Sequence, residues 1–414
     1  MTADAFTGPR PGLRADRART VVVLLSLWAW CGLLCFPMIG LNEDYVDAPT
    51  AFGSGGNVLL GQIAGLALFL TSVALTRPFG LVYSLGRLSL AQAAIIVIIF
   101  VSLCLQLQGD EGTAFVGICY TTLLLVAALA LSVLWTLEPD DLAHGLTIAS
   151  VVFCLFGVVA LTILGLPENR NVGGIQPNLF AAPLMIAFIF SQFRPGLVSL
   201  AIRILCFAMV ALVSSRFAVI GCTTALVVHE LTFRPLTPWK AAALVLGLFT
   251  VILLWPNIAS ILALDDPNRD VSSGFSGRDE YWYTALAAIT DHPFGLGFKR
   301  ATPAEGGHNG YLKTVVEFGV VGGGMIVFLF ATALASAAAE ALRSADKILQ
   351  EHRFACARLA GLVALAFGAF FQPQLLSLGD AFGVSLLFLL FRPRTSPVAR
   401  RVPAATLHAP AIPG

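Results

Sequence analysis

Val21–Leu41 reads VVVLLSLWAWCGLLCFPMIGL, an apolar run with no charged residue. About 20 such residues in helical form cross the hydrocarbon core of a bilayer. The run follows a basic stretch, Arg10, Arg14, Arg17 and Arg19. It is longer than the apolar region of a secretory signal and lacks a small-x-small cleavage site, so it reads as a first anchored helix.

The rest of the chain repeats this pattern. Of 414 residues, 57% are hydrophobic and 12% charged, against about 25% charged in soluble domains. Apolar blocks fall at approximately 20–41, 57–76, 88–107, 115–137, 142–166, 178–193, 196–213, 217–231, 239–258, 309–337, 355–373 and 375–391. A membrane segment must satisfy its backbone internally, and these blocks are too long and too uniformly apolar for barrel strands. The expected fold is therefore all-α: a polytopic integral membrane protein with about twelve transmembrane helices. Pro195 and Gly196 mark a hairpin between the sixth and seventh spans, with one kinked segment as the alternative.

Lysine and arginine set the orientation. With the N-terminus cytoplasmic, inside segments hold Arg77, Arg87, Arg194, Arg234, Lys240, Arg343, Lys347, Arg353, Arg392, Arg394, Arg400 and Arg401. Outside segments are acidic or neutral, with Glu43, Asp44, Asp47, Asp110 and Glu111. The order is then a cytoplasmic tail (1–19), helices 1–9 (20–258), a periplasmic loop (259–308), helices 10–12 (309–391) and a cytoplasmic, disordered tail (392–414). Both termini are then expected on the cytoplasmic side of the membrane.

Other classes are excluded early. All eight cysteines (Cys31, Cys35, Cys104, Cys119, Cys154, Cys206, Cys222 and Cys356) lie in apolar blocks, with no CxxC pair or Cys/His cluster, so neither a disulfide framework nor a metal site is expected. A formal net charge of +1 gives nucleic-acid binding no support.

Against this pattern the outside cations stand out: Arg170, Arg216, Arg269, Arg278, Lys299, Arg300 and Lys313. Most fall in or beside the long loop, and connections of that length in compact proteins are functional or disordered. The loop has a helix signal of its own. Ser276-Gly-Arg278-Asp279 matches a capping box, opening a helix over about 277–290 with Trp282, Leu286 and Ile289 on one apolar face.

Arg278 falls in the first turn, where free backbone N–H groups and a guanidinium make an anion site; pairing with Asp279 or a lipid headgroup is the plainer reading. Pro293-Phe-Gly-Leu-Gly297 offers two glycines for close backbone approach or positive φ, and it has no nucleotide-loop context. Lys299-Arg300 then reads as a phosphate contact or as a solvated pair.

His308-Asn309-Gly310-Tyr311-Leu312 opens the tenth span. The positive end of a helix favours neutral imidazole, the state a general base needs. Lys313 and Glu317 follow at i, i+4 spacing on one face with Asn309, either lining a cavity or simply capping a helix end with an ion pair. Ser214-Ser215-Arg216 puts another cation at the outer edge of the seventh and eighth spans. Gly319 and Gly323 give GxxxG spacing, read as helix packing.

Taken in order, Ser215-Arg216, Ser276-Gly-Arg278 with Trp282, His292-Pro-Phe-Gly-Leu-Gly297, and His308-Asn-Gly-Tyr-Leu312 with Glu317-Phe-Gly319 resemble the O-antigen ligase and polymerase superfamily of bacterial envelope glycosyltransferases. The motifs cover roughly residues 214–323, and the twelve-helix arrangement with a long loop between helices 9 and 10 extends the likeness. The resemblance implies metal- and cofactor-independent transfer of a glycan from undecaprenyl diphosphate, on the periplasmic face, to a lipid A–core sugar or a growing polysaccharide. It implies that Arg216 and Arg278 engage the diphosphate and that His308 activates or positions the acceptor hydroxyl. Arg170, Lys299, Arg300, Asn309 and Lys313 are further substrate contacts on this reading. Ligase and repeat-unit polymerase stay open as alternatives. A twelve-helix transporter fits less well, because its long linker belongs inside after the sixth span, where this chain has only Phe193-Arg194-Pro195.

Overall fold

The computed structural model describes residues 11–28, 56–77, 80–86, 88–105, 111–167, 171–173, 175–234, 237–254, 256, 278–297, 301, 302, 304–306, 308–346, 349–373, 375, 376 and 381–392. In chain order the helices are α1 Pro11–Trp28, α2 Gly56–Thr76, α3 Gly80–Leu85, α4 Leu90–Leu105, α5 Glu111–Leu134, α6 Pro139–Leu164, α7 Pro177–Phe190, α8 Leu197–Leu212, α9 Arg216–Phe233, α10 Pro238–Leu253, α11 Arg278–Asp291, α12 Gly310–Arg343, α13 Leu349–Gly368 and α14 Ala381–Leu390. Of the described residues 81% are helical, and among them there is no strand, only an isolated bridge between Val172 and Ile175. Among the described residues three helices, α6, α9 and α12, are long and apolar enough to cross a membrane, with shorter apolar helices beside them.

Proline and glycine punctuate the apolar blocks. Pro139, Pro177 and Pro238 each open a helix, where the missing N–H costs nothing. After α7, a 3-10 turn at Ser191–Phe193 leads into extended Arg194, and Gly196 at φ 132° starts α8. α7 and α8 pack against each other as two separate helices, so the hairpin is what forms.

Every residue of α14 and most of α13 are buried, as are Phe180–Phe193, from α7 through the turn that follows it, apart from Ala182. Helices apolar all round belong at the centre of a bundle. The outer helices turn apolar side chains outward: Leu197 and Ile204 on α8, Val245, Leu246 and Ile252 on α10, Val321 and Phe328 on α12. Aqueous solvent does not tolerate so broad an apolar surface, whereas hydrocarbon does. The molecule is a membrane protein.

Polar side chains seal the last carbonyls of α14, which its own helix cannot satisfy. Trp135 Nε1 donates to Phe388 O (2.8 Å), Arg358 Nε to Leu389 O (2.8 Å) and Gln92 Nε2 to Leu390 O (2.8 Å). Glu340 then takes Arg358 at 2.9 Å and Arg392 at 2.7 Å, joining α12, α13 and the end of α14.

The tenth block, expected as one span over 309–337, is broken. Gly319 has φ 76° and ψ 173°, non-helical values inside α12. A break in an apolar helix frees backbone groups that must find partners. The 293–297 stretch supplies them: Leu296 N donates to Val316 O (2.8 Å), Gly297 N to Glu317 O (3.2 Å), and Val320 N to Pro293 O (2.8 Å). Its glycines sit at φ 92° (Gly295) and 116° (Gly297), and a Cβ on Gly295 would lie 2.6 Å from Glu317 O. The two arms, 310–318 and 320–343, fold onto each other, because a Cβ on Gly323 would fall 2.5 Å from Val315 Cα. The Gly319/Gly323 spacing therefore serves a turn and a contact within one element, not packing between helices.

Candidate functional site

α9 and α13 run antiparallel. Phe217, in the first turn of α9, meets Phe382 (6.5 Å between rings) beside Gly368 at the end of α13, while His352 near the start of α13 holds the carbonyl of Phe233. The start of α12 joins the Gly368 end: Gly310 N donates to Ala369 O (2.7 Å) and Tyr311 Oη to Ala366 O (2.7 Å). Arg216 and His308, next to Phe217 and two residues before Gly310, thus reach the same end of the bundle across residues 366–369.

Two described residues other than glycine have positive φ: Ser214 (51°) and His308 (46°). Each lies within the Ser214–Arg216 or His308–Leu312 motif. A non-glycine residue held there costs about 1–3 kcal/mol and marks a place where surrounding structure over-determines the backbone. At Ser214 the constraint comes from Ser214 N to Ala211 O (2.9 Å) and Ser215 N to Val210 O (3.3 Å). Buried Ser215 also donates its hydroxyl to Asn178 Oδ1 (3.0 Å) at the start of α7, which fixes the base of Arg216.

His308 precedes the true cap, Asn309, whose Oδ1 accepts from Tyr311 N (2.9 Å) and Leu312 N (3.1 Å). The approach to His308 is a tight turn in which Glu305 Oε2 accepts from Thr302 N (2.8 Å) and Thr302 Oγ1 (2.9 Å). His308 itself is exposed and meets Tyr281 of α11 edge to face, 5.0 Å between rings. Below it Lys313 and Glu317 are 6% and 4% exposed with Nζ and Oε1 3.8 Å apart, an ion pair longer than a hydrogen bond. Their burial puts this pair inside the protein, as expected for ionisable groups at a membrane edge.

Arg278 is the first residue of α11. That helix lies on the short arm of α12 through a small core of Ala285, Ala288, Ala301 and Val316, with Ile289, Leu296 and Leu312 around it. Leu286, expected on the apolar face, is 49% exposed instead. Alanines at 285 and 288 let the two backbones approach, and the buried face rotates accordingly. Helical spacing places Arg278 one turn before Tyr281 and Trp282, so the start of α11 and the His308 segment belong to one assembly. Ser276 of the expected capping box, and Arg170, Lys299 and Arg300, lie outside the described residues.

Asn178, Gln372, the contact of Tyr281 with His308 and the Thr302–Glu305 turn went unread in the sequence, which placed Tyr281 and Tyr283 beside Trp282 at headgroup level. The turn carries a signal, the Thr-x-x-Glu capping pattern. The other three are long-range partners without a local pattern. Gln372 is 8% exposed, its Nε2 has no hydrogen-bond partner, and its carbonyl abuts Gly310.

This geometry describes a helical membrane protein in which the segments bearing Arg216 and His308 reach one end of the bundle. Residues 201–329 match the family model described as O-antigen ligase, a stretch that takes in Arg216, Arg278, the 293–297 patch and His308. Over these residues the chain is similar to that family. No curated protein matches the chain.

Proposed function

We propose that this protein is an O-antigen ligase-like glycosyltransferase that moves a glycan from undecaprenyl diphosphate to a hydroxyl of lipid A–core sugar at the periplasmic face of the inner membrane. The observation that carries the reading is that the Arg216 and His308 segments both reach the Gly368–Ala369 end of α13, with α11, whose first residue is Arg278, packed on the short arm of α12.

The chemistry follows from these groups. The acceptor oxygen attacks the anomeric carbon and its proton passes to a ring nitrogen of His308. The bond from that carbon to the diphosphate oxygen breaks, and the leaving diphosphate keeps the electron pair. Arg216 and Arg278 meet the charge that develops there, so transition-state stabilisation comes from fixed cations. A single displacement inverts the anomeric centre. Lys313, Asn309, Lys299, Arg300 and Arg170 fill secondary roles toward phosphate or glycan.

The orientation is supported by the other end of the bundle, where Arg77, Arg234, Lys240, Arg343, Arg353 and Arg392 gather as the positive-inside trend requires. Deletion of the gene tests the reading. Loss of capped lipid A–core, with lipid-linked polymer still made, is the expected result. Accumulation of single repeat units identifies a polymerase instead. His308→Ala, Arg278→Ala and Arg216→Ala chains should insert normally and fail to restore the surface glycan, and restoration by all three sinks the site.

A further inference from the structure

At the end of α9 opposite Arg216, about 27 Å away at 1.5 Å per residue, cations converge without a matching set of carboxylates. Phe233 is the centre. Arg353 Cζ lies 4.5 Å and Arg234 Cζ 5.7 Å from its ring centroid, and the rings of His229 and His352 stack on it at 5.3 and 5.4 Å. Arg203 on α8 is within electrostatic reach of Arg353, and both sense Glu230.

Glu230 is already committed. Its Oε2 is 3.2 Å from Lys240 Nζ and its Oε1 3.6 Å from His229 Nδ1. Four cations (Arg203, Arg234, Lys240 and Arg353) therefore share one carboxylate. Among the described residues neither Arg203, Arg234 nor Arg353 has an ion-pair partner, and Glu351, the next carboxylate along α13, is exposed. His229 is 3% exposed, and beyond the Glu230 contact of Nδ1 its Nε2 has no hydrogen-bond partner, which leaves buried polar capacity beside the same cluster.

The surroundings specify the anion. Trp239 beside Lys240 is 86% exposed, the placement of an aromatic at headgroup level. Leu197, Leu200 and Ile204 flank Arg203 along the outward side of α8, an apolar track leading away from the cations. A phosphate bound here sits next to a surface suited to acyl chains.

We propose that Arg203, Arg234 and Arg353, around Phe233 and His229, form a binding site for the phosphate of an anionic glycerophospholipid, distinct from the candidate transfer site. Basic pockets between helices at a membrane edge bind such headgroups. The lipid neutralises the surplus charge and holds α8, α9 and α13 together.

The test uses the full chain, delipidated in neutral detergent. Phosphatidylglycerol should raise the thermal midpoint by several degrees, at a concentration at least tenfold lower than phosphatidylcholine needs. The Arg203→Gln, Arg353→Gln double variant should lose that tenfold preference. Equal responses to the two lipids, or an unchanged preference in the variant, overturn the site. Millimolar inorganic phosphate should do nothing; a shift equal to that with phosphatidylglycerol overturns the lipid and assigns a soluble phosphate ester. Should the double variant not fold, lipid counting by mass spectrometry on the purified wild-type chain decides: phosphatidylglycerol enriched severalfold over the host membrane is expected, and bulk composition overturns the proposal.

Discussion

Val320 N donates to Pro293 O at 2.8 Å, so the amide freed by the break at Gly319 is satisfied by a residue 27 positions earlier in the chain. Together with the bonds from Leu296 and Gly297 to Val316 and Glu317, this makes the 293–297 stretch the backbone partner of a broken helix.

Glycine substitutions along this element should therefore divide sharply. Ala at 295 or 319 puts a Cβ within 2.6 Å of backbone atoms at φ 92° and 76°, and Ala at 323 puts one 2.5 Å from Val315 Cα. Ala at 324 meets nothing within 4 Å. Gly324→Ala is expected to raise stability by roughly 0.5–1 kcal/mol through helix propensity, whereas Gly295→Ala, Gly319→Ala and Gly323→Ala should lower the thermal midpoint and abolish glycan transfer. Thermal unfolding of the four variants in detergent checks this, and a neutral Gly319→Ala contradicts the interlock.

Asn309 caps the short arm through two amides. Asn309→Ala should cost about 1 kcal/mol and reduce surface glycan, while Asn309→Ser should recover most of both. If Ser restores stability but not glycan, Asn309 touches substrate as well as the helix.

Ser215 Oγ and Asn178 Oδ1 form one hydrogen bond between the starts of α9 and α7. A double-mutant cycle with Ser215→Ala and Asn178→Ala should return a coupling of about 1 kcal/mol in stability. Because the bond supports Arg216, both variants should weaken donor binding more than turnover, seen as a raised KM with kcat nearly kept. Additive effects contradict the link.

Arg358→Met removes a partner from Glu340 and from Leu389 O at the far end of the bundle. Glu340 is part-exposed and keeps Arg392, so the main cost is the unpaired Leu389 carbonyl, about 1–3 kcal/mol. The variant should accumulate poorly, yet the fraction that folds should transfer glycan at the wild-type specific rate. Normal accumulation argues against Arg358 as a structural lock.

The helices were legible because apolar runs of bilayer length, with proline at 139, 177 and 238, encode them locally. α11 was legible in extent, 277–290 expected against Arg278–Asp291, but its buried face was not: the choice of Ala285 and Ala288 over Leu286 depends on how closely another backbone approaches. Gly319 sits in an apolar run that reads as continuous helix, and only the distant 293–297 stretch makes its break affordable. The order of the Arg216, Arg278 and His308 motifs could be read directly. The Tyr281–His308 and Ser215–Asn178 contacts could not, since each joins residues with no common period.

Synthesis runs from the N-terminus, so residues 293–297 leave the ribosome before residues 316–320. The patch is already made when the broken helix emerges, and the stretch from 293 to 320 can close on itself without waiting for α13. Anchorage of Gly310 to Ala369 comes only later, after the chain has travelled away and returned. The His308 turn is thus shaped early and fastened late, and a chain truncated before α13 should hold the former without the latter.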